Sequence, residues 1–464
     1  MKVFSGFRAT AVAIGLSVVG IGQAGAESLA DTLVAAYRNS ALIEQNRAVL
    51  RAADEDVATA LAALRPVVEW VASHTPRRQE GVTTIRTTSL GVYAEMTLYD
   101  WGRSALAIDG AKEQVLATRQ ALVGVEQDVL LTAAQAFFGV REATEQVALQ
   151  QNSVNLVSQE RQAARDRFEV GEITVTDVAL ADAELAAGRA SLAAAQGDLE
   201  VARENYLAAV GSKAGSLSAP PPLPKLPANL DAARAIAQKN HPTILQAQRT
   251  AAAAELGVAA AAAERNPSLS GSLGAEIVGS NDPATGDYDK PISGSIGLNL
   301  SQTIYSGGRL SAAHRKAMAQ RDQARSSLLN VARQVSQQVG VAWANIDVAR
   351  AQIGAIDEQI SAAQQAYDGV REEASLGART TLDVLDAEQS LLEARADKIT
   401  AEANLQLAHY QLLAAMGLLT VEHLKLGIPT YDPSQYYNAV RNAPHTSKQG
   451  ESLDRVLQAI GKGN

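Results

Sequence analysis

Two long segments, residues 103–167 and 309–373, each run for sixty-five residues without a proline. In the second, apolar residues recur every seven positions, in one series through Ala332, Val339, Ile346, Ile353, Ile360 and Tyr367, and in another through Val335, Ala342, Ala349, Ile356, Ala363 and Val370. The first carries the same seam more weakly, because Gln150 and Arg161 interrupt it. A seam of about six heptads is typical of a very long coiled-coil helix. At 1.5 Å per residue each helix would be roughly 100 Å long, more than a compact domain needs.

The first 26 residues have the pattern of a secretory signal peptide. Lys2 and Arg8 precede an apolar run over residues 9–21, and small residues follow it at 24–26. This pattern predicts cleavage before Glu27 and export of the mature chain. Later in the chain there is no uninterrupted run of eighteen apolar residues, so we expect no transmembrane helix.

Composition excludes several classes of function. The chain has no cysteine, which removes disulfides and thiolate chemistry, and its net charge of −9 disfavours nucleic acid as a partner. The six histidines are scattered without metal-ligand spacing, and neither a phosphate-binding glycine loop nor a nucleophile elbow is found. We therefore expect no enzyme activity, no catalytic residues, no metal and no cofactor.

The chain contains an internal duplication. At a constant offset of 206 residues the pairs include Tyr99 and Tyr305, Gly102 and Gly308, Gly171 and Gly377, Asp177 and Asp383, and Gly211 and Gly417. Upstream the offset falls to 201, so that Pro66 matches Pro267. A constant offset over more than a hundred residues predicts two copies whose helices have equal lengths.

The duplication divides the chain as follows. Repeat 1, residues 27–210, is predicted to contain a helix over 28–64, strands over 67–76 and 89–99, a long helix over 102–168 and a shorter one over 175–210. A proline-rich linker, 211–229, leads to repeat 2, residues 230–416, with a helix over 230–265, strands over 268–278 and 291–304, a long helix over 308–374 and a shorter one over 381–416. Residues 417–464 form a C-terminal segment ending in a flexible tail. We expect the shorter helices to stack end to end beside each long one.

The predicted strands are about ten residues long and alternate apolar with polar residues. In residues 89–99, for example, the apolar residues are Leu90, Val92, Ala94, Met96 and Leu98. This alternation is typical of a transmembrane β-barrel, and Tyr99, Trp101 and Tyr305 lie at strand ends, where an interfacial aromatic belt belongs. An ordinary antiparallel sheet over a core is the alternative, but the sequence offers no further element to cover its apolar face.

Four strands cannot close a membrane barrel, because known barrels begin at about eight strands. Open sheet edges are not tolerated in lipid, so the chain must oligomerise. Two copies would supply eight strands and three copies twelve. The strands alone do not distinguish a dimer from a trimer.

Residues 167–178 (RFEVGEITVTDV) and 376–388 (LGARTTLDVLDAE) resemble the two hairpin tips of the TolC family of outer-membrane factors. The resemblance extends over the mature chain to about Gly417. It implies a homotrimer in the Gram-negative outer membrane, an α+β membrane protein whose twelve-stranded barrel continues into a helical coiled-coil tunnel through the periplasm. The implied function is a passive exit duct for efflux or type I secretion. The implied partners are a periplasmic adaptor (a membrane fusion protein), an inner-membrane ABC or RND transporter, and outer-membrane lipid.

The tip residues permit two interpretations. Thr174 with Asp177, and Thr380 with Asp383, have the spacing of a capping box, which alone could explain both aspartates. Asp386 lies three residues beyond Asp383, on the same helix face, and no cap requires it.

The resemblance assigns further roles to the tips. It implies that Asp383 and Asp386 form carboxylate rings at the periplasmic gate. A network of Asp177, Arg379 and Thr176 would hold the gate closed, and Val170, Gly171, Leu376 and Gly377 would contact the adaptor. One departure is Ala374, which stands where the family pattern has a tyrosine, so that part of the closing network is missing.

Two other functions compete with a channel. A non-channel coiled coil that spans the periplasm would explain the helices but not the alternating strands. The periplasmic adaptor is a weaker candidate, because nothing in the sequence resembles its lipoyl module.

Overall fold

The computed structural model describes residues 26–78, 84–281, 288–429, 431–440 and 455. The predicted signal peptide, apart from residue 26, lies outside the described residues, as does most of the predicted flexible tail.

The two repeats have the same order of elements. The first contains α1 (Leu29–Asn39), α2 (Ala41–Ala62), β1 (Val67–Arg77), β2 (Ile85–Tyr99), α3 (Arg103–Glu169) and α4 (Val175–Val210). The second contains α5 (Leu230–Asn240), α6 (Pro242–Ala263), β3 (Ser268–Asn281), the short β4 (Tyr288–Asp289), β5 (Ile292–Ser301), α7 (Arg309–Ser375) and α8 (Thr381–Ala415). A last helix, α9 (Pro433–Val440), follows the second repeat.

The long helices α3 and α7 are both 67 residues long, as the constant offset predicts. Each packs along the shorter helix that follows it, so each repeat forms one helical hairpin. The heptad seam of α7 faces inward, with Val335, Val339, Ala342, Ile346 and Ala349 buried. α3 contains a window apolar enough to cross a membrane by length and composition, but 44% of that window is buried inside the protein, which fits a core helix.

The main core lies where the two hairpins meet the shorter helices α1 and α5. Phe137 and Leu130 of α3, Tyr206 of α4 and Leu412 of α8 are fully buried there. The Tyr206 hydroxyl is within 2.9 Å of the Thr32 hydroxyl, so this buried phenol has a hydrogen-bond partner. The core thus joins the two repeats at mid-height.

The prediction of one continuous helix over 28–64 is wrong, and so is that over 230–265. The first breaks at Ser40, whose extended backbone ends α1 and whose hydroxyl accepts a hydrogen bond from the Ile43 N–H at 3.3 Å. The second breaks at His241, with Pro242 in the first turn of α6.

The physical reason for each break is that another helix ends beside it. Gly211, at the end of α4, lies against Asn39, and Gly417, at the end of α8, lies against Asn240 and His241. The side-chain amide of Asn39 also donates to the Val210 carbonyl at 3.0 Å. The end-to-end arrangement of shorter helices follows from these contacts.

The strands form one antiparallel sheet in the order β1-β2-β3, with β5 next to β3 and β4 paired only with the end of β3. The strand predicted over 291–304 ends earlier, at Ser301. The reason is pairing: β3 begins at Ser268, which lies opposite Ser301, so the following residues have no neighbouring strand.

The register gives the sheet one apolar and one polar face. Val68, Ala94, Leu273 and Ile296 lie side by side across the four long strands, and so do Glu69, Tyr93, Gly274 and Ser295 in the next row. Ile296 is 86% exposed and Trp70 72% exposed. Among the described residues no helix packs across either face. An ordinary sheet over a core does not leave its apolar face uncovered, so that alternative is wrong.

Candidate gate at the helical tips

Each helical hairpin turns at a glycine in the left-handed backbone region. Gly171 has φ of 81° and Gly377 has φ of 77°. In the first turn, the Glu172 N–H donates to the Arg167 carbonyl at 2.9 Å, and the Gly171 N–H donates to the Phe168 carbonyl at 2.9 Å. The second turn has the equivalent pair of bonds. This is the Schellman end of a helix, which needs a residue without a β-carbon at the left-handed position.

Both shorter helices begin with a reciprocal capping box. The Asp177 N–H donates to the Thr174 hydroxyl oxygen at 3.4 Å, while the Asp177 carboxylate accepts from the Thr174 N–H at 2.9 Å. Thr380 and Asp383 repeat this geometry, with distances of 3.2 Å and 2.9 Å. The capping interpretation is therefore confirmed for both aspartates. Hydrogen bonds from the Thr174 side chain and backbone lower the pKa of Asp177, and those from the Thr380 backbone and side chain lower the pKa of Asp383.

The two predicted gate carboxylates differ in their surroundings. Asp383 is engaged in the cap of α8, whereas Asp386, one turn later, is exposed at the helix surface. Because the cap lowers the pKa of Asp383, this carboxylate keeps its negative charge at the tip, and Asp386 presents a second carboxylate to solvent one turn later.

Within one chain, the arginine of the predicted lock is paired with a residue other than Asp177. The Arg379 guanidinium donates to the Glu373 carboxylate at 2.8 Å, and not to Asp177 of the same chain. Thr176 is exposed in the first turn of α4. Sequence reasoning missed Glu373, although it lies six positions before Arg379 with the turn glycine between them.

Ala374, the departure from the family pattern, is buried. It packs with Tyr367, Val384 and Leu391 in the seam between α7 and α8 near the tip. A methyl group in this position contributes packing and offers no polar group to a lock.

The predicted adaptor-contacting residues form the outermost surface of the hairpins. Val170 is 72% exposed and Leu376 is 78% exposed. Phe168, Val175 and Leu382 add exposed apolar area beside them, and sequence reasoning did not single them out. Apolar residues exposed together at a helix end are typical of a docking surface.

The three aromatic residues predicted to form a membrane belt lie at the other end of the molecule. Tyr99 ends β2, and its ring meets the Trp101 ring edge-on, with centroids 4.7 Å apart. Tyr305 lies beyond β5 and is almost wholly exposed. Within the described ranges, no group of three His, Asp or Glu side chains could hold a metal ion.

The sequence profile of one protein family matches both repeats, over residues 32–212 and 234–418. The chain belongs to the outer membrane efflux protein family. Members of this family are outer-membrane transport proteins rather than enzymes. The predicted membership of the TolC family of outer-membrane factors is thereby confirmed for the chain as a whole.

Individual relatives match along almost their whole length. The outer membrane efflux protein BepC of Brucella suis is 34% identical over 426 residues, which cover 91% of this chain and 92% of that protein. The outer membrane protein TolC of Escherichia coli is 24% identical over 468 residues, covering 96% and 93%.

A solved structure has the same fold. The structure of CusC, a protein that forms a transmembrane channel, superposes on this chain with a TM-score of 0.75 and 22% sequence identity. The superposition covers 84% of this chain and 92% of CusC. The predicted fold class, long helices continuing from an antiparallel barrel sheet, is confirmed at the level of the chain.

Proposed function

We propose that three copies of this outer membrane efflux protein form a passive exit duct across the outer membrane and periplasm. Substrates would enter from an inner-membrane transporter at the helical tips and leave through the barrel. The duct serves efflux or type I secretion, and it supplies no energy of its own, since nothing in its sequence indicates a nucleotide site.

The observation that carries this proposal is the two-faced sheet with unpaired edges. Within the described part of the chain, β1 and β5 each have a neighbouring strand on one side only, and the apolar face between them is uncovered. Open edges and exposed apolar strands are compatible with lipid only if copies join edge to edge into a closed barrel. Four long strands from each of three copies give twelve, the number implied by the family resemblance.

The helical tips supply the proposed gate. In a trimer, Asp383 and Asp386 would form stacked carboxylate rings, which repel one another and attract cations. Arg379 would reach Asp177 and Thr176 of a neighbouring hairpin when the gate is closed, in competition with Glu373.

The surfaces at the two ends of the molecule support the proposed partners. The exposed apolar tips around Val170, Gly171, Leu376 and Gly377 would meet the helical hairpin of a periplasmic adaptor, which links the duct to an ABC or RND transporter. At the barrel end, Tyr99, Trp101 and Tyr305 would lie at the level of the lipid headgroups.

Two measurements on the purified protein test the proposal. We expect heat-modifiable electrophoretic mobility, typical of a closed barrel, and discrete conductance steps in a planar lipid bilayer. A protein that stays soluble without detergent and gives no conductance would instead support the alternative, a structural coiled coil that spans the periplasm.

A further inference from the structure

One side of α8 packs into the other hairpin near the tip. Leu385 of α8 is buried between Val157 of α3 and Leu185 of α4. Residues three apart on a helix share a face, so the next residue on this side of α8 is Glu388. The carboxylate of Glu388 therefore lies beside Leu385 in the contact between the two hairpins.

Glu388 is enclosed at the contact between the two hairpins. Its side chain is 5% exposed, and neither carboxylate oxygen has a hydrogen bond of ordinary geometry. The Tyr367 hydroxyl of α7 is likewise buried and unpaired. A buried carboxylate that stays ionised without a partner costs several kcal/mol, so such a group normally takes up a proton instead.

Charged and polar groups surround Glu388 on each helix packed against it. α3 contributes the Glu160 carboxylate and the neutral Ser153 hydroxyl, α4 contributes Glu184, and α7 contributes Arg371. Arg371 forms an ion pair with Glu160 at 3.3 Å, so its positive charge is shared with the other hairpin. Burial raises the pKa of Glu388 to about 7, and the negative charges of Glu160 and Glu184 act in the same direction, whereas the Ser153 hydroxyl and the Arg371 charge partly oppose this rise.

We propose that Glu388 is a proton-operated latch between the two hairpins. With its proton, the side chain remains packed between α8 and the α3–α4 pair, and the tip stays closed. Without its proton, the carboxylate repels Glu160 and Glu184 and draws water into the contact, so the hairpins separate. The latch rests on the proposed function, because it assumes that the tips open and close.

The direction of the pH effect follows from linkage between proton binding and closure. In a separated, hydrated state Glu388 would titrate near the ordinary glutamate pKa of about 4.3, whereas in the packed state its pKa is about 7. The closed state then binds the proton more tightly, so closure is favoured at low pH. Between these two values each pH unit shifts the equilibrium toward opening by up to about tenfold, and above pH 7 the effect levels off.

Distance measurements between the tips test the latch. The chain has no cysteine, so Glu172→Cys and Ala378→Cys place one spin label on each exposed tip. Labelled chains are diluted with unlabelled ones, so that each trimer carries at most one labelled copy. From pH 5 to pH 8 we expect the inter-label distance in the otherwise wild-type protein to lengthen. In Glu388→Gln the short distance persists at every pH.

Two further variants keep the test decisive. Glu388→Leu, which removes the polar group from the contact, gives the same pH-independent closure if the amide of glutamine disturbs folding. Glu393→Gln, on an exposed part of α8, retains the wild-type pH dependence. A pH dependence that survives both Glu388 variants, or is absent from the wild type, overturns the latch.

Conductance separates the latch from the proposed function. A protein that forms channels in a bilayer but whose tip distance ignores Glu388 contradicts the latch alone. A protein that forms no channel at any pH contradicts the proposed function, whatever the spin labels report.

Discussion

The Arg379 guanidinium bonds to the Glu373 carboxylate at 2.8 Å, across the turn that joins α7 to α8. Both side chains are about half exposed, so the pair contributes little to stability. The pair matters because Glu373 and Asp177 would compete for the same arginine. An arginine held by Glu373 within its own chain is less available to Asp177 of a neighbouring hairpin.

This competition predicts opposite effects of two tip substitutions. Arg379→Ala removes the proposed lock and raises the open fraction of single channels, whereas Glu373→Gln frees the arginine for Asp177 and lowers it. Neither changes the melting temperature, because the pair is exposed. Arg203→Ala, which removes an exposed ion pair elsewhere on α4, is the matched control. Nearly wild-type conductance in the Asp177→Ala, Arg379→Ala double variant would contradict the lock.

Substitutions at the two proposed gate carboxylates distinguish an effect of charge on cation binding from an effect of capping on stability. Asp386→Asn weakens the binding of multivalent cations at the periplasmic entrance without changing stability, since Asp386 caps nothing. Asp383→Asn weakens cation binding and also frays the first turn of α8, because it removes the carboxylate of the capping box. Current block by a multivalent cation, together with hydrogen exchange of α8 amides, measures the two effects. Equal block in the wild type and in a variant that carries both Asp383→Asn and Asp386→Asn is the result that excludes a carboxylate gate.

The pH dependence of that block follows from the cap. Hydrogen bonds from Thr380 lower the pKa of Asp383, so the carboxylate keeps its charge below the ordinary aspartate range. A folded pKa below the unfolded value also means that the stabilisation is present at neutral pH and is lost as pH falls through the folded value. We therefore expect the part of the cation block that depends on Asp383 to persist through the ordinary aspartate range and to weaken only at lower pH. Thr380→Ala should move this loss to higher pH.

Substituting alanine for the glycines at the helix ends is predicted to lower the stability of the protein by different amounts. At Gly377 the φ of 77° disfavours a side chain but the space is open, so Gly377→Ala costs about 1 kcal/mol. At Gly417, with the same φ, an added β-carbon would lie 2.7 Å from the His241 Cα and 2.8 Å from the Asn240 carbonyl oxygen. Gly417→Ala is therefore the more destabilising change, since backbone atoms must move. Thermal unfolding of the two variants compares them, and equal losses would mean that the two ends of α8 are not packed differently.

Substitutions at two adjacent residues of β5 test which face of the sheet contacts lipid. Ile296 lies on the apolar face and Ser295 on the polar face. Ile296→Lys places a charge against lipid, at a cost of about 2–4 kcal/mol near the bilayer midplane, and abolishes membrane assembly. Ser295→Lys lies inside the barrel, so the protein assembles and its conductance shifts toward anions. The reverse pattern would mean that the apolar face points inward.

Much of this protein is determined by short-range patterns that any reader of the sequence can find. The heptad seam through Val339 and Ile346 specifies a long helix, because a repeat of seven aligns one helix face. Alternation in the strands specifies a two-faced sheet, because side chains on a strand point to opposite sides in turn. The glycine, threonine and aspartate of each tip specify a Schellman end followed by a capping box within a dozen residues.

Other features depend on residues far away in the chain. The helix break at Ser40 is set by the end of α4 at Gly211, where local helix propensity alone predicts continuity. The family resemblance implies a bond from Arg379 to Asp177 of a neighbouring hairpin, and only the folded turn shows that Glu373 of the same chain is also within reach. From the sequence alone, Glu388 looks like one more surface carboxylate of a helix rich in charged residues. It is buried only because α3 and α4 pack against that side of α8. Periodicity is a property of neighbours along the chain, whereas burial and charge pairing are properties of neighbours in space, which folding alone brings together.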